Sequence, residues 1–228
     1  AAYPSRTRAR VLAYGPGAAA RIEEVEDRGL LGSRFRLVLP GGEAAVELAP
    51  AGLHQAENLL AAAAAASAFG VTADQVAAAA RGLRADPHRG RVLRTADGAT
   101  LVDDSYNASP VAVRRLLELL ARAPGRRVAV LGEMYELGHL AAAAHAEAGR
   151  LAAAACELLV AVGGENADRL AAAARTAGLE SVHRAGDAAA ATELLRRELR
   201  EGDVVLVKGS RGVGLDATVA ELVGGEAA

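Results

Sequence analysis

The amino-acid sequence predicts an α/β protein whose mostly parallel sheet carries helices on both faces, preceded by a partial α/β segment. Two observations lead to this fold class. Across residues 89–228, short apolar runs alternate with longer Ala- and Leu-rich stretches in which apolar residues recur at helical spacing. Hydrophobic residues make up 52% of the 228 positions but aromatic residues only 3%, so Ala, Leu and Val must build the core. Such small side chains suit helices that pack closely on a sheet.

The amino-terminal part predicts a β meander followed by two helices. Turn-forming residues separate its alternating runs, and strands are predicted at 10–14, 20–25, 34–39 and 44–48. A helix over 55–69 ends at Gly70. A second helix begins at Thr72, where Gln75 gives a capping-box spacing, and ends near Arg84. This part has no obvious way to close a sheet, so we expect the chain to be the carboxyl-terminal piece of a longer protein.

The remainder of the chain predicts alternating strands and helices. The strands are expected at 92–94, 101–103, 127–131, 158–162, 181–183 and 204–207. The helices are expected at 111–122, 140–155, 167–177, 188–201 and 216–223. An Asp-Pro pair shortly before Gly90 interrupts the pattern. The sequence therefore predicts one domain at 1–88 and a second at 89–228.

Composition excludes several classes of partner. The formal net charge is −2 and no block of like charge is present, so the chain offers no electrostatic surface for nucleic acid or an anionic membrane. No stretch reaches the roughly 20 apolar residues that a membrane span needs, and no secretory signal pattern opens the chain. The single cysteine, Cys156, excludes an internal disulfide framework and fits a reducing cytoplasm. It lies in an Ala-rich run and is predicted to pack in the core.

Residues 103–110 are the most informative stretch, because they follow a predicted strand and precede a predicted helix. Ligands of open α/β sheets bind at this edge, where the strands end. Ser109 can cap the following helix and Pro110 suits its first position. Those structural roles leave two aspartates, Tyr106 and Asn107 unexplained. The stretch therefore predicts a site for a sugar, a nucleotide or an amine.

Two further loops follow predicted strands and belong to the same edge. The loop 132–138 contains Met134, the only methionine of the chain, but lacks the GxGxxG dinucleotide pattern. The loop 208–214 carries the only lysine, Lys208, beside 25 arginines. Its glycines allow close backbone approach and its cations suit an anionic ligand. However, Lys208 precedes the glycines, so the loop does not have the phosphate-loop pattern.

Other polar residues give weaker signals. His54 and Asn58 are four residues apart at a helix start, where a polar contact is favoured over metal binding. Arg91 follows the proposed domain boundary and is expected to reach a phosphate, with a solvated linker as the alternative. Three further histidines have no partner pattern and are assigned no chemistry: His139, His145 and His183. No metal site or nucleophilic constellation is predicted.

Five stretches, taken in order, resemble the carboxyl-terminal half of a Mur ligase: 54–58, 90–91, 103–110, 130–138 and 207–215. The resemblance is to the member type that adds D-Ala-D-Ala to UDP-MurNAc-tripeptide. It implies a central ATPase domain, here represented in part by 1–88, and a Rossmann-like carboxyl-terminal domain at 89–228. It also implies that ATP phosphorylates the tripeptide carboxylate and that the dipeptide amine attacks the resulting acyl phosphate.

The resemblance implies a role for each matching residue. At the start of the first helix, three residues would border the adenine: His54, Gln55 and Asn58. Asp104 would hold the ribose, and Arg91 would approach the nucleotide from the domain boundary. The remaining residues would line the cleft or the dipeptide site: Tyr106, Asn107, Met134, Glu136, Lys208, Ser210 and Arg211. From their charge and position, we expect Lys208 and Arg211 to bind the dipeptide carboxylate.

Two departures from the family pattern limit this expectation. Gln55 stands where the family usually has Asn, which alters the reach toward adenine. No G-K-[ST] sequence is present, so the phosphate loop, the Mg²⁺ ligands and the catalytic residues are expected outside this chain. We therefore expect the chain alone to be an inactive, cytoplasmic, monomeric fragment of an ATP- and Mg²⁺-dependent enzyme. The alternatives are a non-catalytic nucleotide- or peptide-binding module and a related ligase such as folylpolyglutamate synthase.

Overall fold

The computed structural model describes residues 8–9 and 11–224. The chain divides between Arg84 and Ala85 into two compact units. Each unit has a sheet and a hydrophobic core of its own. Among the described residues, no helix has both the length and the apolar character needed to cross a bilayer.

The first unit is a three-stranded antiparallel meander packed against two helices. Its elements are β1 (Arg21–Asp27), β2 (Ser33–Leu39), β3 (Gly42–Leu48), α1 (Leu53–Ser67) and α2 (Ala73–Ala80). Buried and more exposed positions alternate along β2, which places Phe35 and Leu37 against the alanine-rich helices. The predicted capping box is confirmed, because Thr72 and Gln75 exchange side-chain-to-backbone hydrogen bonds at the start of α2.

The predicted strand at 10–14 is wrong in its described part. Arg10 lies outside the described residues, and residues 11–13 are not in a strand. Tyr14 pairs only with Ala20, in an isolated bridge. The turn that follows Tyr14 explains this, because Pro16 has no N–H with which to extend a ladder.

The second unit confirms the predicted α/β class. Its strands are β4 (Arg91–Arg94), β5 (Thr100–Asp104), β6 (Arg127–Gly132), β7 (Leu158–Val162), β8 (Ser181–Ala185) and β9 (Val204–Lys208). They form one sheet in the order β4-β5-β9-β6-β7-β8, in which only the pairing of β4 with β5 is antiparallel. Every residue of β7 and β9 is buried, as expected for strands covered on both faces.

The helices of the second unit form two groups. They are α3 (Pro110–Leu120), α4 (Ala141–Ala155), α5 (Glu165–Thr176), α6 (Ala188–Glu198) and α7 (Leu215–Val223). The first three pack side by side on one face of the sheet, and α6 packs with α7 on the other. The chain leaves β5 and β6 toward the face that carries α3 and α4, but it leaves β9, which lies between them, toward α7 on the opposite face. This reversal opens a crevice at the carboxyl ends of β5, β9 and β6.

Gly149 sets the close approach of α4 and α5. A Cβ built at Gly149 would overlap the carbonyl oxygen of Leu170 and lie 3.0 Å from the Cβ of Ala173. We expect Gly149→Ala to lower the free energy of unfolding of the second unit. Overpacking costs roughly 1–3 kcal/mol, which exceeds the gain in helix propensity of up to about 1 kcal/mol.

Chemical denaturation monitored by circular dichroism measures this change. Ala143→Gly, at an exposed position of the same helix, is the control and should cost no more than about 1 kcal/mol. A Gly149→Ala variant more stable than the parent chain would contradict the close packing.

Candidate functional site

The crevice is anchored by an ion pair between the last residues of β5 and β9. Asp104 and Lys208 are direct partners in the parallel register. The Lys208 Nζ donates hydrogen bonds to the Asp104 Oδ2 and, at 2.8 Å, to the backbone oxygen of Asn107. The side chain of Lys208 is 2% exposed and that of Asp104 is 19% exposed. Lys208, predicted to bind a ligand carboxylate, is thus committed to protein groups, and Asp104 is the more accessible partner.

Asp103 holds the segment that precedes β4. Its carboxylate is buried, lies 2.9 Å from the His88 Nδ1 and accepts a 2.7 Å hydrogen bond from the Ser105 hydroxyl. Because a carboxylate only accepts, the His88 Nδ1 carries the proton. Backbone bonds reinforce the contact: Tyr106 N–H donates to the His88 oxygen, and Gly90 N–H donates to the Asp103 oxygen. These bonds fix the turn at His88, whose φ is +61°.

This turn brings Arg89 to the ring of Tyr106, and the loop after β9 brings Arg211 to the same ring. The guanidinium carbon of Arg89 lies 4.0 Å from the ring centroid, and that of Arg211 lies 5.6 Å from it. Both arginines are exposed, and neither guanidinium forms a hydrogen bond or ion pair with another residue in the described part of the chain. Two positive charges beside one phenol ring suit an anionic ligand.

The sequence analysis selected Arg91, and the contact with Tyr106 adds Arg89 as a second candidate. Arg91 is the first residue of β4 and pairs in register with Asp103. Spacing alone does not separate two arginines that flank one glycine. The contact of Arg89 with Tyr106 depends on the turn at His88, which is set by the distant Asp103.

The loops after β6 and β9 are held together by their backbones. Tyr135 N–H donates to the Ser210 hydroxyl at 2.9 Å, and Ser210 N–H donates to the Glu133 oxygen at 3.0 Å. A Cβ at Gly132 would lie 3.0 Å from the Val213 Cγ1 and 3.1 Å from the Cα of Gly209, so there is no room for a side chain at this position. Ser210, predicted to contact substrate, is buried and joins the two loops.

Met134 does not reach the surface, contrary to its predicted contact with substrate. Its side chain is 2% exposed, and its N–H donates to the His145 Nε2 at 2.8 Å. The His145 Nδ1 donates to the Ala141 oxygen at 2.7 Å, so both ring nitrogens of this fully buried histidine are satisfied. No sequence signal pointed to His145, because its partners are backbone atoms. Glu136 is exposed and adopts a φ of +63°, a conformation that costs a non-glycine residue energy.

In the first unit, the predicted adenine residues lie in the first two turns of α1. The Asn58 Nδ2 donates to the Gln55 Oε1 at 3.3 Å. His54 and Gln55 are half-buried, and Asn58 is exposed.

Metal and thiol chemistry find no support in the described residues. No group of three or more His, Cys, Asp or Glu side chains is placed there to hold a metal ion. Asp103 and Asp104 are neighbours on a strand, so they point to opposite faces and have separate partners. These residues do not fit a Mg²⁺ site, and we derive no step through one. Burial raises the pKa of Cys156 to about 12, so its thiol is a poor nucleophile.

The fold and this edge define an α/β domain of the class that binds ligands at the carboxyl ends of its strands. A family model described as "Mur ligase, glutamate ligase domain" matches residues 88–211, more than half of the chain. The chain belongs to the Mur ligase family.

Named relatives agree with this assignment. The UDP-N-acetylmuramoyl-tripeptide–D-alanyl-D-alanine ligase of Mycobacterium tuberculosis is 41% identical over 217 residues, which cover 83% of this chain and 42% of that protein. MurF from Acinetobacter baumannii superposes with a TM-score of 0.79 at 28% identity, covering 93% of this chain and 46% of that one. MurF from Thermotoga maritima, solved with ADP, gives 0.74 at 26% identity, covering 93% and 48%. The chain thus spans less than half the length of these relatives.

Glu133, in the loop after β6, caps the amino terminus of α5, and a substitution can test this cap. Its Oε1 accepts hydrogen bonds from Asn166 N–H at 3.0 Å and Ala167 N–H at 3.3 Å, at the amino terminus of α5. We expect Glu133→Ala to lower the free energy of unfolding by about 1–2 kcal/mol, because it removes a helix cap and a favourable dipole interaction.

Glu165→Ala is the matched control. Its carboxylate lies in the first turn of the same helix, but it is 78% exposed and pairs only with Arg169 in the described structure. Its removal should cost no more than about 0.5 kcal/mol. Equal losses for the two variants, measured by denaturant titration, would show that Glu133 does not cap α5.

Proposed function

We propose that the chain is part of an ATP-dependent ligase of peptidoglycan precursor synthesis that joins D-Ala-D-Ala to UDP-MurNAc-tripeptide in the cytoplasm. ATP transfers its γ-phosphoryl group to the tripeptide carboxylate, giving an acyl phosphate and ADP. The dipeptide amine then attacks the acyl carbon, the amide forms and phosphate leaves. Membership of the Mur ligase family and the name of the 41%-identical relative support this proposal. Mg²⁺ and the phosphate loop belong to residues that this sequence does not contain.

The accessible carboxylate of Asp104 carries the proposal. Its Oδ2 is held by Lys208, while its Oδ1 makes no hydrogen bond within the described residues. A carboxylate with one free oxygen at the end of a strand suits the hydroxyl groups of a ribose. We assign Asp104 to the ribose of the nucleotide. For the first unit we propose adenine contacts from His54, Gln55 and Asn58.

The exposed charges beside Asp104 supply the remaining contacts. We assign the nucleotide phosphates to Arg91, as the sequence predicts, and to Arg89, whose guanidinium lies over the ring of Tyr106 and has no anionic partner among the described residues. Arg211, on the loop after β9, is assigned to the dipeptide carboxylate. Glu136, whose exposed carboxylate has no partner among the described residues, is assigned to the dipeptide amine. Tyr106 and Asn107 line the site between these charges.

Nucleotide binding by the 228-residue chain tests the ribose assignment. We expect Asp104→Asn to weaken ADP binding about tenfold or more in isothermal titration calorimetry, because a charge-assisted hydrogen bond contributes roughly 1.5–3 kcal/mol. The amide keeps an oxygen for Lys208, so the fold is retained. Asp97→Asn is the control, since Asp97 is exposed at the opposite end of β5. Absence of ADP binding by the parent chain, or equal affinities for both variants, would contradict the assignment.

Ligand choice separates this function from its alternatives. The chain should bind D-Ala-D-Ala in preference to glutamate, and Arg211→Ala should remove that preference. A preference for glutamate would favour a folylpolyglutamate-type ligase, whereas nucleotide binding without any dipeptide binding would favour a non-catalytic module.

We also propose that the chain alone, as a monomer, does not ligate. Formation of the pentapeptide product from ATP, tripeptide substrate and D-Ala-D-Ala would contradict that statement.

A further inference from the structure

We propose that Lys208 is a positioning residue that orients Asp104 and fixes the loop 105–109, and that it does not contact the ligand. This inference rests on the proposed contact of Asp104 with ribose. It differs from the sequence-based expectation, in which Lys208 binds the dipeptide carboxylate directly.

Lys208 and Asp104 differ in how deeply their side chains are buried. The Lys208 side chain is 2% exposed, whereas that of Asp104 is 19% exposed. A ligand that enters from the carboxyl edge therefore meets the carboxylate, with the ammonium behind it. The second hydrogen bond of the ammonium goes to the backbone oxygen of Asn107, three residues before the first residue of α3. Lys208 thus connects β9 to the end of β5, where Asp104 lies, and to the loop that carries Tyr106.

The identity of the cation explains how one carboxylate oxygen stays available. The chain contains 25 arginines and this one lysine. An arginine fork usually binds both oxygens of a carboxylate, whereas an ammonium is a compact point charge with three separate donors. Lys208 uses one donor for the Asp104 Oδ2 and another for Asn107. The Oδ1 of Asp104 remains free to accept from a hydroxyl group.

The arginine variant gives the sharpest test. Lys208→Arg keeps the positive charge but places a fork against both oxygens of Asp104. The readout is the ratio of affinities for ADP and 2′,3′-dideoxy-ADP, which lacks the hydroxyls that Asp104 is proposed to bind. We expect a ratio of about ten or more for the parent chain, and a ratio near one for Lys208→Arg and for Lys208→Met.

Arg126→Lys is the matched control. Arg126 pairs with the buried Asp203 immediately before β9, at the opposite edge of the sheet. This variant alters a comparable ion pair, so it should change stability and leave the ratio unchanged. A ratio that persists in both Lys208 variants would overturn the positioning role. Loss of D-Ala-D-Ala binding with the ratio kept would instead assign Lys208 to the dipeptide. A parent chain that binds ADP and its dideoxy analogue equally would refute the ribose contact of Asp104 and, with it, this inference.

A labelling experiment on the unsubstituted chain covers the case in which the variants do not fold. Because Lys208 is the only lysine, the acetic anhydride label that peptide mass spectrometry locates at Lys208 is separated from labelling of the chain terminus and of tyrosine side chains. Labelling should be slow and should not change when D-Ala-D-Ala is added. Rapid labelling that D-Ala-D-Ala blocks would show a direct contact and overturn the proposal.

Discussion

The carboxyl edge of the second unit depends on the ion pair between Lys208 and Asp104. The two residues are 104 positions apart in sequence but are direct partners on neighbouring strands. An ammonium buried to this degree must be paired, since removing the partner of a buried charge costs roughly 3–5 kcal/mol. The pair therefore fixes the register of β9 against β5. A slip of one residue would turn the ammonium to the opposite face of the sheet, away from Asp104.

The rest of the edge follows the same rule that buried polar groups are satisfied inside the protein. Ser210 joins the loops after β6 and β9, Glu133 caps α5, and His145 accepts the N–H of Met134. These contacts leave little freedom in the backbone beneath the crevice. The accessible groups include charged and aromatic side chains, which belong to Arg89, Arg211, Tyr106, Asp104 and Glu136. A rigid base with exposed charged groups suits a site that must position two substrates.

Local sequence patterns predicted the elements of this structure better than its contacts. Apolar spacing identified the alternating strands and helices, and the cap at Ser109 is present because its hydroxyl accepts from Ala112 N–H. The roles of individual side chains were harder to predict from the sequence. Lys208 and Met134 were both expected to contact substrate, yet both are buried, and Lys208 pairs with a residue 104 positions away. Such contacts depend on strand order, and the insertion of β9 between β5 and β6 leaves no trace in local periodicity.

A double-mutant cycle on stability tests the central claim most directly. Unfolding free energies would be measured for the parent chain, Asp104→Ala, Lys208→Met and the double variant. If the ion pair fixes the edge, the losses will not be additive, and the coupling energy will be roughly 1–3 kcal/mol. Losses that add within about 0.5 kcal/mol would show that the two residues act independently. Such a result would contradict the account.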